Sequence, residues 1–294
     1  MKESDIIAKT DEAFGEPVNF TRLSVDLVRL GVRIGDILLV HSSLSAIGWI
    51  TGGGETLIRA LFSVVGESGT LVMPAHSGAL SDPGLWENPP VPPSWHEKVR
   101  EGMPPFNPLI TPTRGVGTVP ELFRRFPGVI RSSHPMDSFC AYGPEADRIC
   151  ESQVLENGLG EESPLARIYE LGGRILLIGC GHDSNTSLHL AEFRSEWPGK
   201  KRIRQGCPVS ENGCREWKWF KELDLDTGDF PACGRAFEDF AGECHTSGGY
   251  PEESEFNQGR IGLAESRLMS QPALVDFASE WFTANRKNTA ETSS

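Results

Sequence analysis

Residues 174–192, RILLIGCGHDSNTSLHLAE, read as a buried strand that breaks into a polar loop and then opens a helix. Residues 174–178 form a short run rich in Ile and Leu, Gly179 and Gly181 interrupt it, and Asn185 or Thr186 is placed to cap the helix that follows. His189 then falls in the first helical turn, where the positive end of the helix dipole disfavours a protonated imidazole. A neutral imidazole is what a general base needs. Glu192, three residues on, shares a helical face with His189 and is a candidate to orient its ring. A capped helix carrying a half-buried, hydrogen-bonded histidine would read the same way.

Working outward, the order of elements is that of an α/β protein. Leu23, Leu27 and Leu30 recur at helical spacing and stop at Gly31, and residues 36–41, DILLVH, make the next buried strand. A loop with glycines 52 to 54 leads to a helix over residues 55–65 and a strand over 70–73. Strand, loop, helix and strand in that order indicate a mixed, largely parallel sheet flanked by helices. Such sheets gather ligands at the carboxyl ends of their strands, here HSSLS after one and PAHSG, with His76, after the other. Residues 75–112 are rich in Pro and Gly, hold Trp86 and Trp95 and lack periodicity, which reads as an irregular insertion or lid; the same tryptophans would serve equally to pack it onto the body. A short helix over 118–126, a polar turn and strand over 131–143, and a helix over 163–171 lead back to the opening strand. Asn212-Gly213 between residues 201–209 and 214–223 signals a hairpin, so antiparallel strands are expected in the C-terminal third. A helix over 272–282 closes the chain, and residues 1–294 read as one domain.

Composition narrows the function classes. The net charge of −13 argues against nucleic acid or an anionic membrane as partner and favours a cationic ligand, although solubility alone would account for it. No stretch approaches a membrane span, and the first residues, MKESDIIAKT, lack a signal-peptide core, so a cytoplasmic protein is expected. Seven cysteines without a CxxC pair suit reduced thiols.

Several constellations admit two readings. Ser42 and Ser43 offer hydroxyls and N–H groups that could polarise a thioester carbonyl, or form an ordinary turn. A Ser-His hydrolase would want a GxSxG elbow, which is absent. Cys207, Cys214, Cys233, Cys244 and His245 match no common zinc spacing, and Cys180 beside the central loop is either a nucleophile or a buried inert thiol. Glycines 52 to 54 form neither a P-loop nor a dinucleotide fingerprint. Glu151, Glu156, Glu161 and Glu162 with Asp183 line a cation-binding cleft or a solvated acidic face.

Four pieces in register, HSSLSAIGWITGGGETLI, TLVMPAHSG, RSSHPMDSFCAYG and ILLIGCGHDSNTSLHLAE, resemble the aminoglycoside N3-acetyltransferase family over about residues 20–281. The resemblance implies the family's own α/β fold, distinct from GNAT acetyltransferases. It further implies acetyl transfer from acetyl-CoA, as co-substrate, to the 3-amino group of the 2-deoxystreptamine ring of an aminoglycoside. The T-x-x-H-x-x-E motif falls on Thr186, His189 and Glu192, with His189 as base. His41, Ser42, Ser43 and Leu44 are then placed around the thioester and pantetheine, with Ser43 also near the reacting carbonyl. Thr113 and Val119 in TPTRGVGTVPE, and Ser132 to His134, would meet the rest of the coenzyme. Glu238 is the candidate second acid supporting the base, and His76, Glu162 and Asp183 are the candidates for contacting the aminoglycoside. No metal is called for, and homodimer formation is left open. An acetyltransferase for another amine, or a non-catalytic CoA or aminoglycoside binder, are the rival readings.

Overall fold

The computed structural model describes residues 2–246 and 256–286. The polar N-terminus, read as peripheral, forms a helix, α1 (Glu3–Phe14). It has no wide apolar stripe; instead Thr10 is its one buried side chain and accepts the Trp49 N–H at 2.8 Å. α2 (Phe20–Leu30) starts where Asn19 caps it, accepting the Arg22 N–H at 3.0 Å, and buries Leu23, Leu27 and Leu30. Gly31, at φ 105°, ends it in the left-handed conformation that suits glycine.

The apolar run that follows is β1 (Ile37–Ser42), and the residues after it, read as loop, contain a single turn of helix, α3 (Leu44–Ile47). α4 (Gly53–Val65) begins two residues earlier than the sequence suggests, with Gly52 as its N-cap. β2 (Thr70–Pro74) follows. Within the insertion only α5 (His96–Gly102) is a regular helix, and α6 (Thr118–Phe123) comes after it. β3 (Ile130–Arg131) and β4 (Phe139–Tyr142) form an edge hairpin. α7 (Ala146–Cys150) and α8 (Pro164–Glu170) then lead to β5 (Arg174–Ile178) and α9 (Ser187–Arg194), the strand and helix of the central stretch.

Seven strands make one sheet in the order β3-β4-β2-β1-β5-β9-β8, where β8 (Phe256–Ile261) and β9 (Ala264–Ser270) are a second edge hairpin. Parallel pairing is confined to the middle: β1 with β2 and β1 with β5. The antiparallel strands that the C-terminal third adds to this sheet are β8 and β9, not the residues 201–209 and 214–223 from which they were expected, and β3 and β4 add two more at the other edge. The central strands are continuously apolar because both faces are covered. Leu38, Val40, Leu176 and Ile178 face α2 and α4, while Leu39, Ile175 and Leu177 face α8, α9 and the closing helix α11 (Gln271–Asn285).

The Asn212-Gly213 hairpin is present, with φ of 53° and 78° at the turn, but β6 (Arg202–Glu211) and β7 (Cys214–Leu223) stay apart from the main sheet. They pack on the insertion: the Asp82 N–H donates to Gln205 at 2.9 Å, and Arg100 and Arg204 flank the Trp219 ring at 5.2 and 3.9 Å. α10 (Phe230–Thr246) crosses back towards the loop between β5 and α9.

Candidate active site

The parallel pairing of β2, β1 and β5 sets their carboxyl ends side by side, and the segments leaving them enclose a cavity of about 1030 Å³. β1 contributes His41 and Ser42, followed by Ser43 and Leu44; the segment after β2 contributes His76; the loop and helix after β5 contribute Cys180, Asp183, Thr186 and His189. β5 can end this close to α3 because Gly179, at φ 65°, has no side chain: a Cβ there would lie 2.4 Å from that of Ala46. Glu3, Ile6 and Trp49 close the far wall. No local pattern marks them as site residues, because α1 is held there by hydrogen bonds, including Trp49 Nε1–H to Glu3 at 3.0 Å, and not by an apolar face.

Asn185 is the side chain that caps α9, accepting the Ser187 N–H at 3.2 Å, while Thr186 at the N-cap position makes no capping bond. The Thr186 hydroxyl lies instead 3.4 Å from His41 Nε2. His189 stands in the first turn with Nδ1 2.6 Å from the Glu192 carboxylate, which is wholly buried. The ring packs against Phe230 at 4.9 Å and presents its other nitrogen to the cavity. Glu192 also accepts the Asp226 N–H at 3.0 Å and Arg286 at 2.6 Å.

Two further imidazoles share this space. Burial, with His76 as a charge neighbour, pulls His41 down to about 3, and burial pulls His76 down to about 4. Both are neutral at pH 7. His76 Nε2 is enclosed and makes no hydrogen bond within the protein. Cys180 is pushed up to about 11 by burial, which leaves a protonated thiol and argues against a nucleophile.

Other expected residues fall elsewhere. Glu238 supports His182, not His189: its carboxylate lies 3.0 Å from His182 Nε2 and accepts from Arg267 at 2.6 Å. Burial would raise Glu238, yet these two partners hold it below the ordinary carboxylate range. Ser132 turns inward, giving its hydroxyl to Gln153 at 2.7 Å and accepting the Phe139 N–H at 2.9 Å, because the β3–β4 turn needs both bonds. His134 is likewise spent on the Met136 and Asp137 N–H groups. Val119 belongs to the core beside α4. Thr113 lines a neighbouring cavity of about 260 Å³, where it donates twice to Glu121. Glu162 is exposed outside the cavity, and its neighbours Glu161 and Glu151 pair with Arg194 and Arg167. Beyond His76, the insertion packs on the β6–β7 hairpin and does not line the cavity, so it is no lid over this site. Ser43 spends its N–H on the Ile178 carbonyl at 2.8 Å, which leaves its hydroxyl for a ligand. Cys207 and Cys233 sit in separate apolar clusters and Cys214 at the hairpin turn; the side chains of Cys244 and His245 lie outside the described residues. No set of three or more metal-ligating side chains converges among the described residues.

A cavity at the carboxyl ends of parallel strands, holding an imidazole paired with a buried carboxylate, is where an α/β enzyme gathers its ligands. Residues 39–283 match the family model for aminoglycoside 3-N-acetyltransferase, and the chain belongs to that family of acyltransferases. It is 45% identical over 264 residues to the SPbeta prophage-derived aminoglycoside N(3')-acetyltransferase-like protein YokD of Bacillus subtilis, spanning 90% of this chain and 92% of that one. The crystal structure of YokD superposes with a TM-score of 0.86 at 43% identity, covering 95% and 98% of the two chains. Aminoglycoside N(3)-acetyltransferase VIII of Streptomyces fradiae is 41% identical over 229 residues, 78% of each chain. A structure of AAC-IIIb described as binary with CoASH aligns at TM-score 0.78 and 32% identity, covering 93% and 99%. No helix among the described residues is long and apolar enough to cross a membrane.

Proposed function

We propose that the chain transfers the acetyl group of acetyl-CoA to the 3-amino group of the 2-deoxystreptamine ring of an aminoglycoside, in a direct reaction between two bound substrates. The observation that carries this reading is the 2.6 Å His189–Glu192 contact, with the ring edge open to the cavity that His41, Ser42 and Ser43 enter from β1. His189 Nε2 takes the proton of the attacking amine as the C–N bond forms, while Nδ1–H stays on Glu192 and fixes the tautomer. The Ser43 hydroxyl donates to the oxygen that gains charge as the thioester carbonyl becomes tetrahedral. Collapse expels the coenzyme thiolate, which receives the proton, and leaves the amide. Holding both substrates together supplies much of the rate, so no covalent enzyme intermediate is needed.

The cavity suits the coenzyme's reactive end. Its volume, about 1030 Å³, is at the top of the range for small-molecule sites, and alternating hydroxyls and apolar side chains from Ser42, Ser43, Leu44 and Ile50 match a pantetheine arm of amides and methylenes. No Lys or Arg lines it among the described residues. The phosphates are therefore assigned outside, along the Gly115–Thr118 wall shared with the smaller cavity, where Arg125 stands and the exposed Arg114 adjoins Gly115. Asp183, exposed on the rim, faces the polycationic acceptor. We place the reaction in the cytoplasm, where acetyl-CoA is made and the free thiols of six described cysteines stay reduced.

The test is incubation of a small aminoglycoside panel with acetyl-CoA and the protein, followed by mass spectrometry to locate the acetylated nitrogen. His189→Ala should abolish turnover while acetyl-CoA affinity stays within about twofold, since its loss removes only a transition-state role. Turnover surviving in His189→Ala removes His189 from the base role, and acetylation at another nitrogen, or only of simple amines, overturns the acceptor assignment.

A further inference from the structure

We propose that Arg286 is a positioning residue for this reaction, fixing the Glu192 carboxylate, and through it the His189 ring, from the end of α11. The inference rests on the reading of His189 as base.

Glu192 has no exposed surface, and both of its oxygens are engaged: one meets His189 Nδ1 at 2.6 Å, the other accepts the Asp226 N–H at 3.0 Å and Arg286 Nη1 at 2.6 Å. A buried carboxylate without a cationic partner is costly, and Arg286 is the cation in contact. Its remaining nitrogens are locked as well. Nε and Nη2 grip Asp229 bidentately at 2.8 and 2.7 Å, and Nη2 also donates to the Asp226 carbonyl at 2.7 Å. The guanidinium lies between the rings of Trp197, 4.7 Å away, and Phe282, 4.1 Å away. All three guanidinium nitrogens are thus engaged.

The consequence is a fixed chain of Asp229, Arg286, Glu192 and His189 that joins α10's approach, the α11 terminus and α9. A planar fork is needed for it, since one group must reach two carboxylates and a carbonyl at once; a lysine ammonium keeps the charge but not the three directions. Without Arg286 the carboxylate keeps only the Asp226 N–H as a second anchor, and its plane is free to turn. The His189 ring turns with it. Displacement of a catalytic group by about 1 Å can cost roughly 100-fold in rate, so the effect should appear in kcat. A purely structural role, tying down the end of α11 through Asp229, would lower stability and leave turnover of the folded fraction alone.

The experiment measures kcat, KM for acetyl-CoA and thermal unfolding for Arg286→Met, Arg286→Lys, Glu192→Gln, His189→Ala and the Glu192→Gln/Arg286→Met pair. Arg286→Met should lower kcat about 10- to 100-fold with KM for acetyl-CoA held within about twofold, and Arg286→Lys should fall between it and wild type. In the Glu192→Gln background, adding Arg286→Met should cost little more, because the two act in one chain. Wild-type kcat in folded Arg286→Met, or losses that multiply within about twofold in the pair, overturns the proposal. Should Arg286→Met not fold, Arg286→Lys alone and combined with Glu192→Gln carries the same comparison. Activity retained by His189→Ala sinks the base reading instead, whereas an inactive His189→Ala beside normal Arg286 variants sinks only this inference.

Discussion

Gly234→Ala should destabilise the protein although the residue lies in a helix, where that change ordinarily helps. In an open helix interior alanine is favoured over glycine by about 1 kcal/mol. Gly234 faces the loop between β5 and α9, and a Cβ built on it would sit 2.0 Å from Cγ and 2.2 Å from Cδ2 of His182. The ring has nowhere to go: Nε2 is held by Glu238 at 3.0 Å and Nδ1 lies 3.4 Å from Asn185 Nδ2, the side chain that caps α9. Overpacking of this kind costs about 1–3 kcal/mol or more, and at this distance the upper end applies, which leaves a net loss of about 2 kcal/mol. For a chain of this size that lowers Tm by roughly 4–8 °C. Gly242→Ala in the same helix is the control, since a Cβ there meets nothing within 4 Å, and it should raise Tm slightly. Because the loop also carries Asp183 and Thr186 into the cavity, Gly234→Ala should lower kcat/KM while Gly242→Ala does not. Calorimetry and steady-state kinetics on both variants check this. A Tm for Gly234→Ala at or above wild type would mean that α10 does not press on His182 as described.

Two further expectations concern charge. His41 titrates near 3 in the folded chain against 6.5 when unfolded, so unfolding takes up a proton below about pH 6.5 that the native state refuses; its stabilising share is intact above that pH and erodes towards pH 3. Between pH 7 and 5 this amounts to about 2 kcal/mol, read as a shrinking stability gap between wild type and His41→Asn in urea unfolding; a constant gap refutes it. Asp183→Asn should raise KM for a polycationic aminoglycoside roughly three- to tenfold and flatten its salt dependence while kcat holds, because a rim charge steers and does not react. An unchanged KM would remove Asp183 from the acceptor's path.

Local patterns announced most of the central elements. The β5–α9 junction, α2 with its glycine cap and the Asn212-Gly213 turn are all written within a dozen residues each, and so is the His189–Glu192 pair, set by helical spacing. What escaped depends on distant partners. Glu238 reaches His182 and Arg267, 56 and 29 residues away, and no spacing rule distinguishes those histidines. Ser132 and His134 look like ligand groups until the β3–β4 turn is seen to consume them. The β8–β9 hairpin lacks a strong turn dipeptide, and Arg286 meets Glu192 across 94 residues.

The strand order explains why chemistry gathers where it does in a sheet that is antiparallel at both edges. Only the parallel trio β2-β1-β5 points three carboxyl ends the same way, and each end brings a histidine or the helix that bears one: His76, His41 and His189. An antiparallel neighbour presents its amino end at that rim, and neither β4 nor β9 contributes a residue to the cavity lining. β9 contributes differently. Running the other way, it delivers the chain into α11 at the opposite rim, and α11 then climbs back along the sheet to set Arg286 behind Glu192. In the proposed reaction the parallel strands supply the groups that meet substrate, and the antiparallel edge supplies Arg286, which reaches Glu192 behind His189.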